Sequence, residues 1–145
     1  MAKAFNIQVK GLKELQAKFN SLPKRVREEV SGQLELGAQN IVKDAKKNLR
    51  SQVNTGSGTA MRLITYTGKD LSYSVTAAAN YSPYLEFGTG KGVRIPSGLD
   101  NYASQFKGRG VRKNNMKARP YLFPAFFNQK VLVFRNIQKV LKSLD

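Results

Sequence analysis

The chain contains no cysteine, no histidine and no tryptophan. Without cysteine there is no disulfide framework and no thiolate nucleophile, and a reducing cytoplasm is permitted. Without histidine the usual general base at neutral pH and the commonest transition-metal ligand are both missing. Acids are scarce, with 9 Asp plus Glu against 25 Lys plus Arg. No apolar run approaches the roughly 20 residues that span a bilayer. The stretch Met1-Ala2-Lys3-Ala4-Phe5-Asn6 has no apolar signal-peptide core. The expectation is a soluble protein that is not secreted by a cleaved signal and has no membrane partner. No Walker-type glycine loop and no nucleophile elbow is present.

What remains is ample for a core. A chain of 145 residues, 41% apolar with 14 Phe and Tyr, is read as one domain over 1–145. Its net charge of +16 draws polyanions: nucleic acid, an acidic protein or an anionic membrane.

Phe5, Ile7 and Val9 alternate with polar residues, as in a half-buried strand. Leu12, Leu15, Phe19 and Leu22 recur at helical spacing. From Pro23 to about Gln52 a long helix is predicted, with Val26, Val30, Leu34, Ala38, Ile41, Ala45 and Leu49 on one stripe. Gly32 and Gly37 lie inside it, marking either a close approach by a neighbour or a tolerated irregularity. Lys43, Lys46, Lys47 and Arg50 crowd its end, where they complement the helix dipole. Ser51 to Ala60 reads as a polar loop. Two strands follow, Arg62 to Thr67 and Leu71 to Ala77, joined by Gly68-Lys69-Asp70. In the second, Leu71, Tyr73, Val75 and Ala77 share one face, the pattern of an antiparallel hairpin.

Two segments dense in aromatics and proline come next, Tyr81–Gly90 and Ala118–Ala125. Tyr84-Leu85-Glu86-Phe87 reads as a short strand. Between the segments runs a basic, glycine-rich excursion at about 90–118, carrying Lys91, Arg94, Lys107, Arg109, Arg112, Lys113 and Lys117. Such a loop tracks phosphates without reading bases, or orders against a protein neighbour. A last helix is predicted from about Pro124 to Leu144. Its apolar positions spread beyond one side, which implies burial between two layers: the sheet, and either the long helix or another subunit. The fold class expected is α+β, a small antiparallel sheet packed by one long helix and a C-terminal helix.

No catalytic site is expected, no metal and no cofactor. Asp44-Ala45-Lys46 has a spacing seen in nucleases, but it falls mid-helix without a partner carboxylate. Glu86 is read as pairing with Arg119, within or between subunits. Tyr81, Tyr84, Phe87, Tyr121, Phe123, Phe126 and Phe127 are read as core before base-stacking platforms.

The segment Tyr81-x-x-Tyr84-x-Glu86-Phe87-Gly88-Thr89, followed by Ala118-Arg119-Pro120-x-Leu122-x-Pro124-Ala125, resembles the tail-component family of long-tailed bacteriophages. That family supplies tail-completion and head–tail joining proteins. Thr55-Gly56 also fits the pattern, with a longer spacing to Leu63-Ile64 than usual. The long basic connection departs from the family's shorter one. The resemblance implies a structural, non-enzymatic virion protein that forms a ring, a hexamer, at the neck or tail top. It implies assembly in the host cytoplasm and contacts with other neck, connector or tail-tube proteins. Tyr81, Tyr84, Glu86, Phe87, Arg119, Tyr121 and Phe123 are the candidate subunit or partner interface. The basic excursion would meet genomic DNA nonspecifically. The rival expectation is a stand-alone, nonspecific nucleic-acid-binding protein.

Overall fold

A computed structural model describes residues 5–6, 17, 20–53, 57–103 and 115–143. Helix α1 (Lys24–Gln52) is 29 residues long and starts at Pro23, whose carbonyl accepts the Arg27 N–H at 3.1 Å. Proline is tolerated at this N-cap, just ahead of the helix, because its missing N–H would have no intrahelical partner anyway. The stripe read from the sequence is buried at Val26, Val30, Ala38, Ile41, Ala45 and Leu49, with Gly37 added to it, while Leu34 is only half-buried.

Helix α2 (Ser57–Arg62) follows. Strands β2 (Ile64–Lys69) and β3 (Ser72–Ala77) then form an antiparallel hairpin. Its register pairs Lys69 with Ser72, so the loop is Asp70-Leu71. Asp70 takes the left-handed conformation there, at φ 54°, as a short polar side chain tolerates. Strand β1 (Phe5–Asn6) pairs with the other edge of β3, giving the order β1-β3-β2. The sheet lies against α1, where Gln39 Nε2 donates to Tyr66 Oη at 3.1 Å and Tyr66 donates to Glu35 at 3.3 Å.

After the sheet come helix α3 (Ser82–Phe87), a 3-10 turn (Gly90–Gly92), helix α4 (Asp100–Ala103) and helix α5 (Leu122–Lys142). Helices α1 and α5 run antiparallel, as their partners along the pair show. Val26 and Val30 near the start of α1 meet Ile137, Val140 and Leu141 near the end of α5. Gly37 faces Val133. Further along, Gln129 Nε2 donates to Asp44 Oδ2 at 2.7 Å. The main core lies where the inner face of α1, the covered face of the hairpin and the start of α5 converge: Ala45, Leu49, Ile64, Ala77, Phe87, Tyr121 and Leu122 are its most enclosed members.

The α+β class holds, and four local expectations change. Tyr84–Phe87 is helix, not strand: Pro83 sits in its first turn, and Ser82, Pro83, Glu86 and Phe87 are its buried residues. That spacing of four is helical. Ser57–Arg62 is helix where a polar loop and the start of a strand were expected. The hairpin turn is Asp70-Leu71 rather than Gly68-Lys69-Asp70. The C-terminal helix starts at Leu122, two residues before Pro124. Ile7, Val9, Leu12, Leu15, Phe19, Thr55, Gly56 and Leu144 lie outside the described residues.

Candidate functional site

The two aromatic, proline-rich segments meet, and Glu86 joins them. Helix α3 delivers its carboxylate to the start of α5 in a buried position. Oε2 accepts the backbone N–H groups of Tyr121 at 2.9 Å and Leu122 at 3.0 Å, and Oε1 accepts that of Phe123 at 3.0 Å. The first N–H groups of a helix lack intrahelical partners, and the dipole there favours negative charge. Glu86 therefore caps α5 from a distant part of the chain. Burial pushes its carboxyl above the ordinary glutamate range, and the three backbone N–H groups pull it partly back.

Around that cap the backbone is laced across both segments. Arg119 N–H donates to the Leu85 carbonyl at 2.7 Å, Thr89 N–H to Met116 at 2.9 Å and Ala118 N–H to Gly92 at 3.1 Å. Met116 N–H donates to the Thr89 hydroxyl at 2.9 Å, and Lys91 N–H to Asn115 Oδ1 at 3.0 Å. Gly88, at φ 78°, is one of the close approaches in this lacing. A Cβ there would sit 2.5 Å from the Gly92 carbonyl oxygen and 2.6 Å from that of Met116. The end of α1 ties in as well: Asn48 Nδ2 donates to the Tyr121 carbonyl at 3.1 Å and Gln52 Nε2 to that of Pro120 at 2.7 Å. The Phe87 and Phe123 rings pack 5.7 Å apart. Burial pushes the Tyr121 phenol up to about 12. The Ser82 hydroxyl lies beside it, close enough to temper that rise without meeting hydrogen-bond geometry.

The seven candidate interface residues thus divide. Glu86, Phe87, Tyr121 and Phe123 are buried inside the subunit. Tyr81, Tyr84 and Arg119 are exposed. The expected Glu86–Arg119 ion pair is replaced by the three N–H groups, because a carboxylate that far from water is better served by fixed donors than by a solvated guanidinium. Of the basic residues, Lys91, Arg94 and Lys117 are exposed on the two feet of the excursion. Lys107, Arg109, Arg112 and Lys113 lie outside the described residues. Asp44 spends its carboxylate on Gln129, which gives the nuclease-like spacing a packing role. Among the described residues no group of acids could hold a metal ion, and no helix is long and apolar enough to cross a membrane.

Phe127, like Tyr81 and Tyr84, was read as core and is exposed. Helix α5 keeps Phe127, Val131 and Phe134 exposed along the side away from α1. The helical spacing of these three was visible, but which side α1 would cover was not.

Fold and site together define an α+β subunit whose two aromatic, proline-rich segments hold the start of α5 in place. Residues 13–88, just over half of the chain, match the profile of the bacteriophage HK97-gp10-like tail-component family. The chain belongs to that family, a structural phage tail-component class, and membership implies a place in the virion. The match ends at Gly88, two residues past Glu86. The excursion and α5, which Glu86 caps, lie beyond it. No curated protein and no solved structure matches the chain.

Proposed function

We propose that this chain is a non-enzymatic structural subunit that closes into a ring, a hexamer, at the neck or tail top, and completes the tail for attachment to the head. The subunit is made in the host cytoplasm and joins other neck, connector or tail-tube proteins there. The observation that carries this reading is the apolar surface left uncovered on a tail-component subunit. Phe127, Val131 and Phe134 on α5 and Leu36 on α1 are between 44% and 58% exposed. Exposed apolar side chains clustered along one helix face, as on α5, mark a protein–protein contact. Tyr81, Tyr84 and Arg119, exposed at α3 and just before α5, supply further contacts. The excursion faces the channel and touches genomic DNA through phosphates alone.

The test is the mass of the purified protein by light scattering across a concentration series, with and without duplex DNA, followed by electron microscopy of the assembled fraction. Discrete closed rings support the reading. The net charge of +16 favours a second reading, a stand-alone nonspecific nucleic-acid-binding protein. That reading predicts a monomer that binds duplex tightly at low salt and forms no ring.

A further inference from the structure

We infer that the exposed stripe of α5 docks on the outer face of the first half of α1 in a second copy of the chain, head to tail. This inference rests on the ring reading and names the surfaces that close the ring.

The α5 stripe consists of Phe127, Val131 and Phe134. At 3.6 residues per turn, Lys130 and Arg135 fall on opposite flanks of it, and both are exposed. The outer face of α1 has the reciprocal pattern. Glu28 and Glu29 fall on opposite flanks of the line through Gly32 and Leu36, and all four are exposed. From Glu28 to Val42 the helix carries three acids, Glu28, Glu29 and Glu35, and no base. In a chain of net charge +16 such a stretch is the natural seat for a basic-rimmed surface. Each patch runs along its helix for about 10–12 Å, roughly seven or eight steps of about 1.5 Å each.

Gly32 fits the same picture. Among the described residues nothing lies within 4 Å of a Cβ built there, so none of them requires a glycine at this helix position. A shallow site beside Leu36 suits the approach of a large aromatic such as Phe134. Among the described residues, Glu28 pairs with Lys24 at 3.8 Å and Glu29 with Arg25 at 3.2 Å, each one turn away on the same exposed helix surface. Such pairs exchange readily for better partners. The two patches differ from each other, so the contact is heterologous, the kind that generates rings.

The test is a charge-swap series read by light scattering. Lys130→Glu/Arg135→Glu and Glu28→Lys/Glu29→Lys are each expected to raise the concentration for half-assembly at least roughly tenfold. Mixed in equal amounts, the two variants restore assembly, because both kinds of alternating contact are again complementary. Gly32→Gln is expected to raise the thermal midpoint of the subunit while weakening assembly, which separates folding from docking. All substituted positions are exposed, and circular dichroism melts verify that each variant folds. If both charge variants assemble like the wild type, this interface is wrong while the ring reading stands. If the Lys130→Glu/Arg135→Glu variant is rescued by wild type instead, an α5-to-α5 contact replaces the one proposed. If the wild type stays monomeric at every concentration and on DNA, both the interface and the ring reading fall.

Discussion

At the residue scale, Glu86 carries the most consequence for its size. Glutamine in its place keeps one acceptor oxygen but turns an amide N–H₂ toward a backbone donor. At least one N–H at the start of α5 then loses its partner inside the core. The expected loss for Glu86→Gln is about 1–3 kcal/mol of folding stability, measured by urea denaturation at neutral pH. The pH dependence has a definite sign. A carboxyl raised in the folded state contributes stability that is fully present below its ordinary value of 4.5 and is lost as pH rises through the raised value. The stability gap between wild type and Glu86→Gln should therefore narrow as pH rises from about 4.5. A gap that widens would mean that the three N–H bonds outweigh desolvation. Gly37 offers a second test. A methyl there would meet Val133 Cγ2 at 2.3 Å, and a β-branched side chain in a helix has little freedom to turn away. Overpacking costs about 1–3 kcal/mol, against about 1 kcal/mol that alanine gains in helix propensity. Gly37→Ala should thus lower the melting temperature, and Val133→Ala in the same chain should recover part of the loss. If Gly37→Ala alone raises the melting temperature, the close approach is softer than its geometry implies.

At the scale of elements, what was legible followed from periodicity. Val26 to Leu49 stepped by three and four and gave α1; Tyr73, Val75 and Ala77 alternated and gave β3. What was not legible depended on groups without a sequence signature. The partners of Glu86 are backbone N–H groups of Tyr121, Leu122 and Phe123, which any residue except proline supplies. Arg119, by contrast, advertised a charge and drew the expected pair. Helix α3 was misread because four residues cannot separate a period of two from one of 3.6, although Ser82, Pro83, Glu86 and Phe87 held the answer. The excursion was visible by composition, but the lacing of its feet was not. That lacing yields a prediction. Gly88→Ala places a left-handed non-glycine residue against two carbonyl oxygens. It should cost at least about 1–3 kcal/mol in a denaturation experiment and expose the amides of Thr89 and Ala118 to faster hydrogen exchange. Shortening the excursion between Pro96 and Asn114 keeps both feet but removes Leu99, which packs against the main core, and should lower the melting temperature. An unchanged melting temperature would show that this contact adds little to the core.

At the scale of the whole molecule, net charge decides when subunits can meet. A chain of this length has a radius of gyration of about 15 Å, so neighbours in a ring sit about 40 Å apart, centre to centre. Two bodies of charge +16 at that distance repel by about 27 kcal/mol in unscreened water. At about 0.01 M salt, with a screening length of about 30 Å, roughly 7 kcal/mol of this survives; at about 0.15 M, with about 8 Å, only a few tenths do. The proposed contact pairs, Lys130 and Arg135 with Glu28 and Glu29, act within about 4 Å and are screened far less over the same range. Long-range repulsion therefore wins at low salt and short-range complementarity wins near physiological salt. The expected result is a non-monotonic curve: little assembly at about 0.01 M, a maximum near 0.15 M, and a decline toward 1 M as the contact pairs weaken. Duplex DNA at low salt should substitute for added salt, since its phosphates neutralise the subunits as counterions do. Light scattering at fixed protein concentration along a salt series, repeated with a short duplex, measures both. Assembly that is strongest at the lowest salt without DNA would mean that opposing charges at the interface outnumber the +16 background. The basic surface would then be turned away from neighbouring subunits and toward whatever fills the channel.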